Sequence, residues 1–187
     1  MLEITKQFQK TKIITTLAAD IKLSLEKYRR FITFNSYKIL GDANLRFSVT
    51  YNMEALIKKH FGQKMTMIVA LDTGILPFAV LLCQNNSLYS DLPIVCIPTS
   101  NPDNMMAGPS VLTNISFNHK KILLMTDICD KEQPLSQAID VLQNNGNEIL
   151  GVVSLFSFDR PQTLNFFKEK KIDFLSLSRA TELTIPD

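Results

Sequence analysis

The chain has 187 residues, 45% hydrophobic and 20% charged, which is the make-up of a globular protein with enough length to bury a sizeable core. Its net charge of +2 excludes a strong electrostatic field of the kind that draws nucleic acid or acidic membrane surfaces. Three cysteines, Cys83, Cys96 and Cys129, form no C-x-x-C pair, so the chain is not a disulfide scaffold and its thiols are expected to be reduced, in the cytoplasm.

In chain order, the first residues, Met1-Leu2-Glu3-Ile4-Thr5-Lys6, turn polar at once, so no secretory leader is expected. Residues 14–30 place Ile14, Leu17, Ile21, Leu25 and Tyr28 at spacings of three and four, which predicts an amphipathic helix. A strand is predicted over 30–34, a polar turn over 41–44, a second strand over 45–49, and a helix over 52–61 that stops at Gly62. These elements make up a small N-terminal helix and strand region over residues 1–63.

From residue 64 to 187 the pattern becomes regular. Apolar strands are predicted over 65–71, 92–97, 122–125, 149–156 and 174–177, alternating with helices over 75–84, 137–145 and 162–170. The third of these helices opens at Pro161, and the second carries Leu135, Ala138, Ile139 and Leu142 on one face and ends at Gly146. Continuous apolar strands alternating with helices predict an α/β fold with a central, mainly parallel, five-stranded sheet flanked by helices. Ligands of such sheets bind beyond the C-terminal strand ends, which directs attention to Asp72-Thr73-Gly74, residues 98–119 and residues 127–134. The longest apolar stretch, residues 74–83, is too short to span a bilayer and contains Pro77. The basic runs at 27–30, 58–59 and 168–171 fall at helix ends, where positive charge complements the helix dipole.

The run from Ile122 through Thr126-Asp127-Ile128-Cys129-Asp130-Lys131-Glu132-Gln133-Pro134 to Gly146 resembles the hallmark of the type I phosphoribosyltransferases, a strand ending in two acidic residues, two hydrophobic residues, a small-residue loop and a helix. The strand closed by Asp159-Arg160 and the Leu71-Asp72-Thr73-Gly74-Ile75 turn followed by Pro77 and Ala79 are similar to segments of orotate phosphoribosyltransferases in the same order. The resemblance implies the type I phosphoribosyltransferase fold with an N-terminal hood over residues 1–63. It implies that Thr126, Asp127, Asp130, Lys131 and Ser136 stand where phosphoribosyl pyrophosphate is held, that Asp72, Thr73 and Gly74 form a pyrophosphate loop, and that Arg160 matches a residue contacting the base carboxylate. It also implies magnesium only together with that donor, a homodimer or a heterodimer with an intact paralogue, and a small phosphorylated ligand.

The same register shows what has changed. Thr126 replaces the first acid, Asp130 and Lys131 replace two threonines, Glu132 and Gln133 replace two glycines, and Pro134 replaces the closing serine. Residues 97–109, where the resemblance implies a basic mobile loop, contain no lysine or arginine. The base-recognition run survives only as Phe31-Ile-Thr-Phe-Asn-Ser36, with no fixed register. The expectation is a degenerate homologue serving in binding, regulation or assembly. The alternative is an active transferase in which Lys120, Lys121 or Lys131 supplies the missing charge.

Several readings stay open at the residue level. Asp127 either holds a ribose or caps the loop, Thr73-Gly74 either binds phosphate or makes a tight turn, and Arg160 either meets a ligand or opens a helix. Met105 and Met106 either serve a partner surface or are buried. No catalytic residue is assigned: His60 and His119 have no visible nucleophile or acid partner, and no metal-ligand spacing is present.

Overall fold

The computed structural model describes residues 2–10, 14–17, 31–62, 64–98, 118–130 and 132–182. Lys131, Met105, Met106, the basic run at 27–30 and most of the 98–119 segment lie outside the described residues.

Five strands form the main sheet: β3 (Met67–Leu71), β4 (Ile94–Ile97), β5 (Lys121–Cys129), β6 (Glu148–Ser157) and β7 (Asp173–Arg179), in the order β4-β3-β5-β6-β7. All four pairings are parallel, so the sheet is wholly rather than mainly parallel. The sequence dictates this, because strands buried on both faces need apolar residues at every position and a helix for each crossover. Met67–Leu71 is buried at all five of its positions.

Alternate side chains of each strand feed two cores. Ile68, Ala70, Leu123 and Met125 pack with helices α2 (Ser36–Gly41), α3 (Ala43–His60) and α4 (Leu76–Asn85) on one face. Met67, Val69, Leu71, Ile122 and Leu124 pack with α5 (Glu132–Asn144) and α6 (Pro161–Lys170) on the other. Leu135, Ala138, Ile139 and Leu142 form the buried face of α5, as their spacing predicts.

The N-terminal region departs from expectation in two places and adds one helix that no expectation covered. Ile14–Leu17 is a strand, β1, paired antiparallel with β2 (Phe31–Phe34), not the start of a helix. Its run Ile-Thr-Thr is β-branched, and that stiffness outweighs the helical spacing of the apolar residues. Residues 45–49 are not a strand but part of α3, whose buried Leu45, Val49, Met53 and Ile57 recur every four residues. Asp42 caps that helix, its carboxylate accepting from Asn44 N–H at 2.9 Å and Leu45 N–H at 3.1 Å. Finally α1 (Leu2–Lys10) is a helix whose Ile4 and Phe8 are buried one turn apart. Thr5 Oγ1 ties α1 to the far end of the chain, hydrogen-bonded to Ser178 Oγ at 2.9 Å and Glu182 Oε2 at 2.7 Å.

Candidate functional site

Parallel strands bring their C-terminal ends to one edge of the sheet, and the loops after β3, β5 and β6 meet there. Leu71, the last residue of β3, pairs with Thr126 of β5, so Asp72 and Asp127 emerge side by side. Asp72, Thr126, Asp127, Ile128, Asp130 and Pro134 line a cavity of about 270 Å³ between the two loops. The sequence-derived candidates Asp72, Thr126, Asp127 and Asp130 are thus brought together. Ser136 lies a turn further along α5, outside that lining.

Strand alternation places Asp127 on the α2 side of the sheet. Its Oδ2 accepts from Ser36 Oγ at 3.0 Å and its Oδ1 from Ile128 N–H at 2.8 Å. This contact sets Ser36, the first residue of α2, against the acid of β5. Asn35 holds Ser36 there by capping α2, its side chain accepting from Lys38 N–H. Tyr37, absent from the sequence-derived candidates, brings its hydroxyl within 3.4 Å of Thr73 Oγ1.

The turn after β3 closes against the same carboxylate. Asp72 has a φ of 73°, and Gly74 is buried so tightly that a Cβ there would lie 2.2 Å from Asp127 Oδ2. Close approach explains the glycine, and α4 begins immediately afterwards with no side-chain cap of its own.

Beyond Asp127 the chain behaves differently from the small-residue loop of the resemblance. Strand β5 runs on to Cys129, past the predicted end at 125, and α5 begins at Glu132, not at 137. Glu132 occupies the first turn, where a carboxylate complements the positive end of the helix, and Pro134 is tolerated there because its missing N–H would be unpaired anyway.

Arg160 is drawn to this loop. Its Nε donates to Asp130 Oδ1 in an ion pair with both partners partly exposed, and its guanidinium lies 5.9 Å from the Phe158 ring. Thr163 Oγ1 donates to the Asp130 carbonyl at 3.1 Å. Arg160 is also the N-cap residue of α6, although its side chain makes no cap hydrogen bond there. Its neighbour Asp159 is structural as well: at a φ of 53°, with its side chain 6% exposed, it accepts from Arg179 at 2.8 Å, Ser157 Oγ at 2.9 Å and Thr181 Oγ1 at 2.7 Å.

Burial pushes the Cys129 thiol up to about 12, with Asp159 and Asp130 adding to the shift and Arg179 opposing it. Burial, with Asp72 adding, also raises Cys96. Both thiols are therefore protonated at neutral pH and poor nucleophiles. Among the described residues no three His, Cys, Asp or Glu side chains are grouped to hold a metal ion. Lys120 and Lys121 do not reach the site: they sit at the N-terminal start of β5, a nine-residue strand at roughly 3.3 Å per residue, and Lys121 pairs with Glu148.

No family model matches the chain. Curated orotate phosphoribosyltransferases do: the Phocaeicola vulgatus protein is 22% identical over 141 residues, covering 75% of this chain and 63% of the relative. The Bacillus subtilis protein is 26% identical over 145 residues, covering 78% and 64%. The chain thus spans a little under two thirds of the length of these relatives. The crystal structure of orotate phosphoribosyltransferase from Aeropyrum pernix superposes with a TM-score of 0.68 at 17% identity, over 95% of this chain and 94% of that one.

A wholly parallel five-stranded sheet with its loops gathered at one edge is here the fold of a type I phosphoribosyltransferase. Within that class, the sequence is similar to orotate phosphoribosyltransferases. No helix among the described residues is long and apolar enough to cross a membrane.

Proposed function

We propose that this chain is an orotate-phosphoribosyltransferase-like protein without normal transferase activity, acting as a binding, regulatory or assembly subunit. The observation that carries this reading is the junction of β5 and α5. Asp130 and Glu132 occupy the approach to a helix N-terminus that would otherwise attract a phosphate, and Asp130 already holds Arg160. Like charges repel in a partly solvated site, and Arg160 offsets only Asp130, so the Glu132 carboxylate disfavours a phosphate dianion there. Asp127, the surviving acid of the pair, has both oxygens engaged by Ser36 and Ile128 N–H.

Transfer of phosphoribose needs the donor held at its phosphate and ribose and the departing pyrophosphate stabilised, and stabilisation of developing charge is commonly the largest single contribution. The residues available here favour internal pairing over both tasks. We place the protein in the cytoplasm, as a homodimer or as a heterodimer with an intact paralogue that supplies the chemistry. Magnesium is a component only where the donor binds.

Thermal unfolding with and without phosphoribosyl pyrophosphate and magnesium, repeated with orotate and orotidine monophosphate, tests the reading. Ligand at one hundred times its dissociation constant stabilises by roughly 2.7 kcal/mol, which raises the midpoint by several degrees. No shift is expected from the wild-type chain. A clear rise with the donor, followed by formation of orotidine monophosphate that collapses in Asp127→Asn, would establish the alternative of an active transferase.

A further inference from the structure

A second cavity, of about 440 Å³, runs along the outer strand β7 beneath α6 and shares no lining residue with the cavity between β3 and β5. Its volume falls in the range of small-molecule sites. Phe167 and Phe174 stack in its wall with ring centroids 4.5 Å apart, and the Arg179 guanidinium lies 5.5 Å from the Phe174 ring. Three cations line it, Lys168, Lys171 and Arg179, against one carboxylate, Asp173.

Arg179 is anchored by Asp159, whereas the ammonium groups of Lys168 and Lys171 have no ion-pair partner among the described residues. Lys170, between them in sequence, does pair, with Asp140. Lys171 also holds a φ of 55° just after α6, its N–H closing the helix onto the Lys168 and Phe167 carbonyls. Glycine takes that conformation without strain. A lysine there instead carries an ammonium to the cavity wall.

We propose that this groove binds a small amphipathic anion, its phosphate or carboxylate meeting Lys168 and Lys171 and its apolar body lying against the part-exposed Leu164 and Phe174. Two unpartnered cations beside an apolar wall set the ligand chemistry: charge alone would leave the wall wet, and an apolar ligand alone would leave the lysines unused.

The test is titration of the isotope-labelled chain with 1-naphthyl phosphate, inorganic phosphate and 1-naphthol, followed by backbone amide shifts. The first compound is expected to bind at least tenfold more tightly than either half and to move amides of residues 164–174 and 179. The double variant Lys168→Ala and Lys171→Gly keeps the helix ending and is expected to lose at least tenfold in affinity. Equal affinity for inorganic phosphate, unchanged binding by the variant, or shifts confined to residues 72–74 and 127–136 would overturn the proposal. So would a concentration-dependent dimer that the variant abolishes, since the groove would then be an interface between copies of the chain.

Discussion

Ser36 Oγ donates to Asp127 Oδ2 at 3.0 Å across 91 residues of sequence, joining the first turn of α2 to the end of β5. Asp127 Oδ2 in turn sits where a Cβ on Gly74 would be, 2.2 Å away. Three segments, the start of α2, the turn after β3 and the end of β5, therefore share one carboxylate. Ser36→Ala removes the only long-range hydrogen bond to it among the described residues and is expected to lower stability by about 1 kcal/mol. Gly74→Ala is expected to cost more, because Asp127 must leave Ser36 to admit the methyl group. Urea unfolding of both variants at constant m-value checks the order, and an equal or smaller loss in Gly74→Ala would show that Asp127 moves freely.

The core of the fold was legible because β3 and the strands after it carry unbroken apolar runs, and because α5 and α6 carry apolar residues at helical spacing between them. The N-terminal region was not, since Ile14–Leu17 satisfies helical spacing and β-branched composition together, and a five-residue window at 45–49 is too short to show the four-residue recurrence that continues to Ile57. Within the site, Asp72 and Asp127 were found from motif order. Ser36 and Tyr37 were not assigned to it, because nothing local says that the β2–α2 junction faces Asp127, 91 positions on, and Thr73, 36 positions on. The Asp130–Arg160 pair was hidden for the same reason, each half having been read against a ligand and not against the other.

That pair is half-exposed, with Arg160 at 55% and Asp130 at 29%, so its worth as an ion pair is small. A double-mutant cycle between Asp130→Ala and Arg160→Ala is expected to give a coupling energy below about 1 kcal/mol, falling further in high salt. Its consequence for ligands is the larger one. Combining Asp130→Thr with Glu132→Gly and Gln133→Gly removes both acids from the α5 approach and restores small residues, so affinity for inorganic phosphate is expected to rise at least tenfold by calorimetry. Unchanged affinity in the triple variant would sink the account of the degenerate loop given above.

Asp159 gathers three donors at a buried corner between β6 and β7, with Arg179 the only cation among them. Asp159→Ala removes the acceptor of all three bonds, while Arg179 keeps 26% of its side chain exposed to water, so the cost is expected to be about 1–3 kcal/mol. Asp159→Asn should cost less, since asparagine keeps acceptor capacity and tolerates the positive φ of 53°. Guanidinium unfolding distinguishes the two, and equal losses would mean that charge, not conformation and hydrogen bonding, dominates the corner.

Cys129 gives the chain a defined alkaline limit. Its folded value, about 12, lies above the ordinary 9.0, so below pH 8 the thiol is protonated whether the chain is folded or not, and stability is independent of it. As pH rises past 9 the unfolded chain ionises first, and folding loses up to about 1.4 kcal/mol per pH unit until the folded thiol also ionises. Urea midpoints at pH 8 and pH 10 should therefore fall further in the wild type than in Cys129→Ala, after allowing for the constant cost of the cavity that the substitution leaves. Parallel pH dependence in the two proteins would show that the thiol is reached by water in the native state, contrary to its burial between β5 and the Asp159 corner.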